Sequence, residues 1–66
     1  SHGEAASEYR EALRLGHRKA ETYAGLGLAL RKLGQGEEAA RMFGAALLID
    51  PRNKTAVEQV RQQGGR

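Results

Sequence analysis

Two groups of residues in this chain have types and spacings that could support chemistry. The first is Gly25 and Gly27 around Leu26, because a glycine-rich stretch can cradle phosphate on bare backbone amides. A phosphate loop needs its glycines in a strand-to-helix turn, with a lysine placed for the ligand. These glycines fall inside a helical apolar pattern, after Tyr23 and before Leu30, so packing accounts for Gly27. Gly25 faces away from the apolar stripe, where glycine costs about 1 kcal/mol relative to alanine. Neutral drift is slightly favoured there over a groove that needs bare backbone near a ligand. The second group is the titratable and nucleophilic side chains. Acid–base catalysis wants a group titrating near neutrality beside a second group in a pocket. The carboxylates instead stand at helix-surface spacing, Glu37 before Arg41, Glu11 before Arg14 and Glu58 before Arg61. Such solvated pairs are worth about 0.2–0.5 kcal/mol each. His17 lies beside Arg18 and Lys19 with no anionic ligand cluster near it, and reads as a turn histidine. Ser1, Ser7, Thr22 and Thr55 have no histidine–acid partners at motif spacing. The chain has no cysteine, which removes disulfides, thiolate zinc sites and cysteine nucleophiles. This inventory argues against an enzyme and implies no cofactor and no metal.

Sixty-six residues make one small domain at most. A domain near that size buries only about 60% of the surface its unfolded chain exposes, so its core is tightly bounded. From Thr22 to Leu33 the residues Thr22, Tyr23, Leu26, Ala29, Leu30 and Leu33 recur three and four apart, one face of an α-helix. From Glu37 to Ile49, Ala39, Ala40, Phe43, Ala46 and Leu47 do the same. Gly34-Gln35-Gly36 separates the two stretches, and a glycine there can take the left-handed conformation that closes a helix. So short a connection forces an antiparallel hairpin. Asp50-Pro51 ends the second helix, because proline disfavours helical continuation. Asn53 can cap a further helix. The fold class is therefore all-α, with four antiparallel helices over about Glu4–Leu15, Lys19–Leu33, Glu37–Ile49 and Lys54–Gln63. The expected buried set is Tyr9, Leu13, Tyr23, Leu26, Leu30, Leu33, Ala39, Phe43, Ala46, Leu47, Val57 and Val60.

Eleven Lys and Arg against eight Asp and Glu give a net charge of +3, with the basic residues spread along the chain. That biases the chain toward acidic partners without making a nucleic-acid face. The three aromatics are all committed to inward stripes, which leaves none for stacking on bases. The longest apolar run, Ala45 to Ile49, is far short of the roughly 20 residues of a membrane span. No nucleic-acid partner and no membrane span are expected. No secretory leader is visible. Localisation stays open, with the cytoplasm slightly favoured. Ser1-His2-Gly3 resembles the scar of a removed tag.

Sliding the chain against itself by 34 residues pairs Glu4 with Glu38, Ala5 with Ala39, Tyr9 with Phe43, Ala12 with Ala46 and Leu13 with Leu47. The same offset pairs Leu15 with Ile49 and, more weakly, Tyr23 with Val57 and Leu26 with Val60. The stretch 20–53 carries Tyr23, Leu26, Gly27, Leu30, Ala39, Phe43, Ala46 and Pro51 at the spacing of a helical-hairpin signature, and in this it resembles the tetratricopeptide repeat family. It departs in having Tyr23 where tryptophan is common and Leu30 where tyrosine is common. With 1–3 set apart as a tag remnant and 64–66 as a frayed tail, the resemblance divides the rest into the second helix of a preceding repeat at 4–19, a complete repeat at 20–53 and a capping helix at 54–63. It implies a fragment of a helical solenoid.

The resemblance also implies a protein–protein interaction module, which binds a peptide or partner helix as part of a larger scaffold. Carried onto this chain, the concave surface is Glu21, Ala24, Gly25, Leu28, Arg31 and Lys32. It reads as an open apolar floor at Ala24, Gly25 and Leu28, with a basic end at Arg31 and Lys32. An alternative docking surface is the outer side of the second helix of the repeat, at Arg41, Ala45 and Leu48. The alternative function is a structural or self-association element, including the terminal repeat of a chaperone adaptor. Against that last reading, Glu21, Ala24, Gly25 and Leu28 include none of the lysine, asparagine and arginine clamp residues of such adaptors. An apolar edge at Ala5, Ala6 and Tyr9, lacking its partner helix, is expected to pair copies of the chain in a homodimer.

Overall fold

The computed structural model describes residues 1–64, and four helices run through them. They are α1 (His2–Arg14), α2 (Ala20–Lys32), α3 (Gly36–Ile49) and α4 (Lys54–Gly64). Each packs on its neighbour in sequence: α1 on α2, α2 on α3 and α3 on α4. The all-α reading, with antiparallel helical hairpins, thus holds, and the four helices fall within two residues of their expected ends.

The helix ends follow from the local sequence. Ser1 caps α1, its hydroxyl accepting from the Glu4 amide at 3.2 Å. Residues 1–3, set apart in the sequence as a tag remnant, therefore form the cap and first turn of α1. Gly16 and Gly34 both take positive φ, +95° and +83°, just beyond α1 and α2. At each the chain doubles back on the last carbonyls. Gly16 donates to Leu13 and His17 to Ala12, and likewise Gly34 to Arg31 and Gln35 to Leu30, all at 2.9–3.0 Å. Gly36, expected in the connection, is instead the first residue of α3. The α3–α4 junction is built differently. Asp50 leaves the helix in an extended conformation and Pro51 follows it. Asn53 then caps α4, its Oδ1 accepting from the Ala56 amide at 2.9 Å. The expected frayed tail is helical at Gly64, and its last two residues, 65 and 66, lie outside the described residues.

The core consists of Leu26, Leu30 and Phe43 set among the alanines 6, 20, 24, 29, 39, 46 and 56. Tyr9, Leu13, Tyr23 and Leu47 pack against it half-buried. Gly27 makes the close approach the repeat pattern implies: a Cβ there would fall 2.6–2.9 Å from the Phe43 ring. Two expected core members are exposed, and a further one, Val57, is only half-buried. Leu33 is 42% exposed at the C-terminal cap of α2, where the chain turns into α3. Val60 is 41% exposed because the side of α4 that carries it has no helix against it among the described residues. A further correction concerns the edge proposed at Ala5, Ala6 and Tyr9. Ala6 is fully buried within the chain, and Ala5 and Tyr9 already pack half-buried on the same core. That edge is therefore smaller than its apolar residues suggested.

Of the three surface pairs read from spacing, Glu11–Arg14 forms, at 2.6 Å. Glu37–Arg41 and Glu58–Arg61 do not form among the described residues. Arg10 instead reaches across to Glu38 at 3.3 Å, tying α1 to α3.

Candidate functional site

The candidate site is the face of α2 left open between α1 and α4. The six residues expected to line it all stand on α2, and the structure separates them. Leu28, half-buried, is the ridge between two depressions. The one toward α1, about 300 Å³, is lined by His2, Ala5, Tyr9, Gly25, Ala29 and Lys32 together with Leu28. The one toward α4, about 250 Å³, is lined by Lys54, Thr55, Glu58 and Gln59 together with Leu28. Glu21 is exposed on the same helix but lines neither. Ala24 is 3% exposed and belongs to the core, which corrects its place on an open floor. A Cβ pointing between neighbouring helices is too short to reach the surface once both are packed.

Gly25 has a physical reason that the reading of neutral drift missed. The Tyr9 ring lies directly over it, and a Cβ at Gly25 would sit 2.6 Å from Tyr9 Cε1 and Oη and nearer still to Cζ. The bare backbone seats the tyrosine of α1, and the floor of the groove there is the Tyr9 ring. Arg31 is also differently engaged from the expectation of a free basic end. Its guanidinium donates to Oε1 of Gln59 and, at 3.3 Å, to Oε1 of Gln62, both on α4. Amide partners orient the group without cancelling its charge. Lys32 stands on the α1 side and carries the other positive charge of this end.

Electrostatic perturbation lies away from the groove. The Arg14 guanidinium, hydrogen-bonded to Glu11, holds that carboxyl below the usual carboxylate range, and Glu11 in turn raises Arg14. No polar side-chain atom is buried without a hydrogen bond among the described residues. Nor do three or more His, Asp or Glu gather there as a metal site. The outer-face residues Arg41, Ala45 and Leu48 lie along one side of α3, with Leu48 88% exposed. Among the described residues no helix is long and apolar enough to cross a membrane.

Several lining residues escaped the sequence reading. Those on α4 were within reach of the 34-residue offset, which carries Glu21, Ala24 and Gly25 onto Thr55, Glu58 and Gln59. Tyr9 over Gly25 had no such signal, because it joins helices from different repeats.

Helices that each pack on the next in sequence, with a central hairpin and a helix on either side of it, define a helical-repeat protein. The family model for the tetratricopeptide repeat matches residues 20–53. The chain belongs to the tetratricopeptide repeat family, whose members generally mediate protein–protein interaction. No curated protein and no solved structure matches the chain.

Proposed function

We propose that this chain is a protein-interaction module that holds a partner peptide or helix across the ridge of Leu28. The observation that carries this reading is the pair of mostly apolar depressions flanking Leu28. An apolar side chain of the partner fits the depression over Tyr9 and Gly25. A carboxylate beside it faces Lys32 on one side and Arg31 on the other. Paired small depressions with convergent polar groups give orientation as well as affinity.

The test is NMR shift mapping with a panel of peptides that carry an apolar residue next to an acidic one. Leu28→Asp should abolish binding; because Leu28 also packs half-buried on the core, circular dichroism must find that variant folded, and Leu28→Ala should weaken binding in the same direction. Arg31→Ala and Lys32→Ala should weaken binding less, and their effect should shrink as salt rises, as for rim charges. Peptides whose shifts cluster on Arg41, Ala45 and Leu48 would transfer the function to the outer face of α3.

A further inference from the structure

The outer face of α3 departs from the corresponding face of α1. At the 34-residue offset Arg10, Glu11 and Arg14 of α1 become Gly44, Ala45 and Leu48 of α3. On α1 all three are charged, and Glu11 and Arg14 form an ion pair at 2.6 Å. On α3 the same positions are small or apolar, and Leu48 is 88% exposed. Arg41, Gly44, Ala45 and Leu48 recur three and four apart, so they share one side of the helix. Continued stacking of hairpins leaves this line open. α1 is followed by both helices of the next hairpin, and Glu11 and Arg14 stay exposed on it.

Gly44 has no task inside the chain. A Cβ there would meet nothing within 4 Å, and its φ is not positive. It stands in the middle of α3, where glycine weakens a helix relative to alanine. Gly25 and Gly27 each seat a ring, and Gly16 and Gly34 each close a helix. Gly44 does neither. Bare exposed backbone beside Ala45 and an open leucine admits a second helix at short distance. The line is charged at both ends. Glu37 and Arg41 stand near the start of α3, and Asp50 and Arg52 follow its end, all four exposed. None of these four is in an ion pair among the described residues.

We propose that two copies of this chain pair through this face, their α3 helices antiparallel about a two-fold axis between Gly44 and Ala45. The occupant is a second copy because the line complements itself. In that register Gly44 faces Ala45, and Leu48 lies over the aliphatic stem of Arg41. At each end Glu37 and Arg41 of one copy meet Arg52 and Asp50 of the other, unlike charges on both counts. The last turn of α3 has no basic residue of its own. Arg41 from the other copy brings a cation there, where the helix dipole favours one. The same patch serves both copies, so the contact is isologous and closes at two. It uses α3 and the turn after it and leaves the ridge at Leu28 open, so it stands or falls apart from the docking reading.

Sedimentation across a concentration series tests it, with circular dichroism verifying that each variant keeps its helices. Wild type should rise with concentration from the 7.2 kDa of one chain to twice that mass and stop. Gly44→Leu separates the pairing from folding. At dilution it should raise the thermal midpoint, because the space beside Gly44 is empty and leucine favours the helix. It should nonetheless weaken association about tenfold or more, by holding the two helices apart. Arg41→Glu and Asp50→Lys should each weaken association by a similar factor, through like charges across the contact. Their equimolar mixture should pair again, because both ends then join unlike charges. Asp50 also accepts from the Arg52 amide at 3.0 Å. If Asp50→Lys disturbs that turn, Asp50→Asn keeps the acceptor and should weaken association in the same direction by less. A wild-type monomer at low millimolar concentration, a mass that climbs past two copies, a Gly44→Leu variant that pairs like wild type, or a mixture that fails to recover would each overturn the proposal.

Discussion

Tyr9 and Phe43 occupy the same position of the repeat, and each presses its ring onto a glycine of α2. Phe43 meets Gly27 inside the hairpin and is buried on every side. Tyr9 meets Gly25 from the neighbouring repeat and keeps one side open to the groove. The same position therefore yields a structural anchor in α3 and part of the candidate site in α1. What differs is the number of helices around it, since α3 has a helix on each side and α1 has one. A repeat position fixes the type of side chain, and its neighbours decide the task.

Four substitutions can break or sharpen that contrast. Phe43→Ala should cost about 3–5 kcal/mol, the range for emptying a packed aromatic site. A chain of this length has only about 3–10 kcal/mol of stability to lose, so circular dichroism should find the variant largely unfolded. A cooperative transition near the wild-type temperature would mean that Phe43 is not the anchor. Gly27→Ala comes next, at about 1–3 kcal/mol, because the buried Phe43 ring has nowhere to move. Gly25→Ala makes an equally close contact on paper but should change stability by no more than about 1 kcal/mol. There the tip of Tyr9 can swing outward, and the helix gains about 1 kcal/mol from alanine. Urea unfolding of the two variants side by side reads the difference, and equal losses would erase the distinction between the two aromatics. Smallest is Arg14→Ala. The Glu11 carboxyl, held low by Arg14, should then titrate nearer the ordinary glutamate value by NMR. In wild type the contribution of this pair is full above the ordinary glutamate range and is lost as pH falls through the lowered value. An unchanged Glu11 midpoint would place the cause elsewhere.

Most of the fold was legible in the sequence because periodicity and punctuation agree. Phe43, Gly27, Leu26 and Leu30 announce a close-packed hairpin, and Gly34, Pro51 and Asn53 mark where its helices stop and start. The errors have a common origin. Leu33 and Val60 lie on the correct stripe but are not covered, and periodicity reports direction without reporting coverage. Ala24 shows the reverse. It lies on the groove side of α2, yet its short side chain disappears between packed neighbours. At the candidate site, Leu28 and Lys32 were readable from helical geometry. The seating of Tyr9 on Gly25 was not, because it depends on the angle between helices of successive repeats.

Seven of the ten buried hydrophobic residues among those described are alanines: 6, 20, 24, 29, 39, 46 and 56. A core made this way has an unusual mutational asymmetry. Truncation, the ordinary route to damage, has almost nothing to remove at those seven positions. Enlargement is the hazard, since one added methylene meets a close-packed wall with no void to receive it. Replacements at these sites should therefore be tolerated in matched sets, a larger residue on one helix with a smaller one facing it, and hardly at all singly. Helix spacing in this small domain is held by the smallness of its alanines, and any route to a different spacing must alter both sides of a contact together.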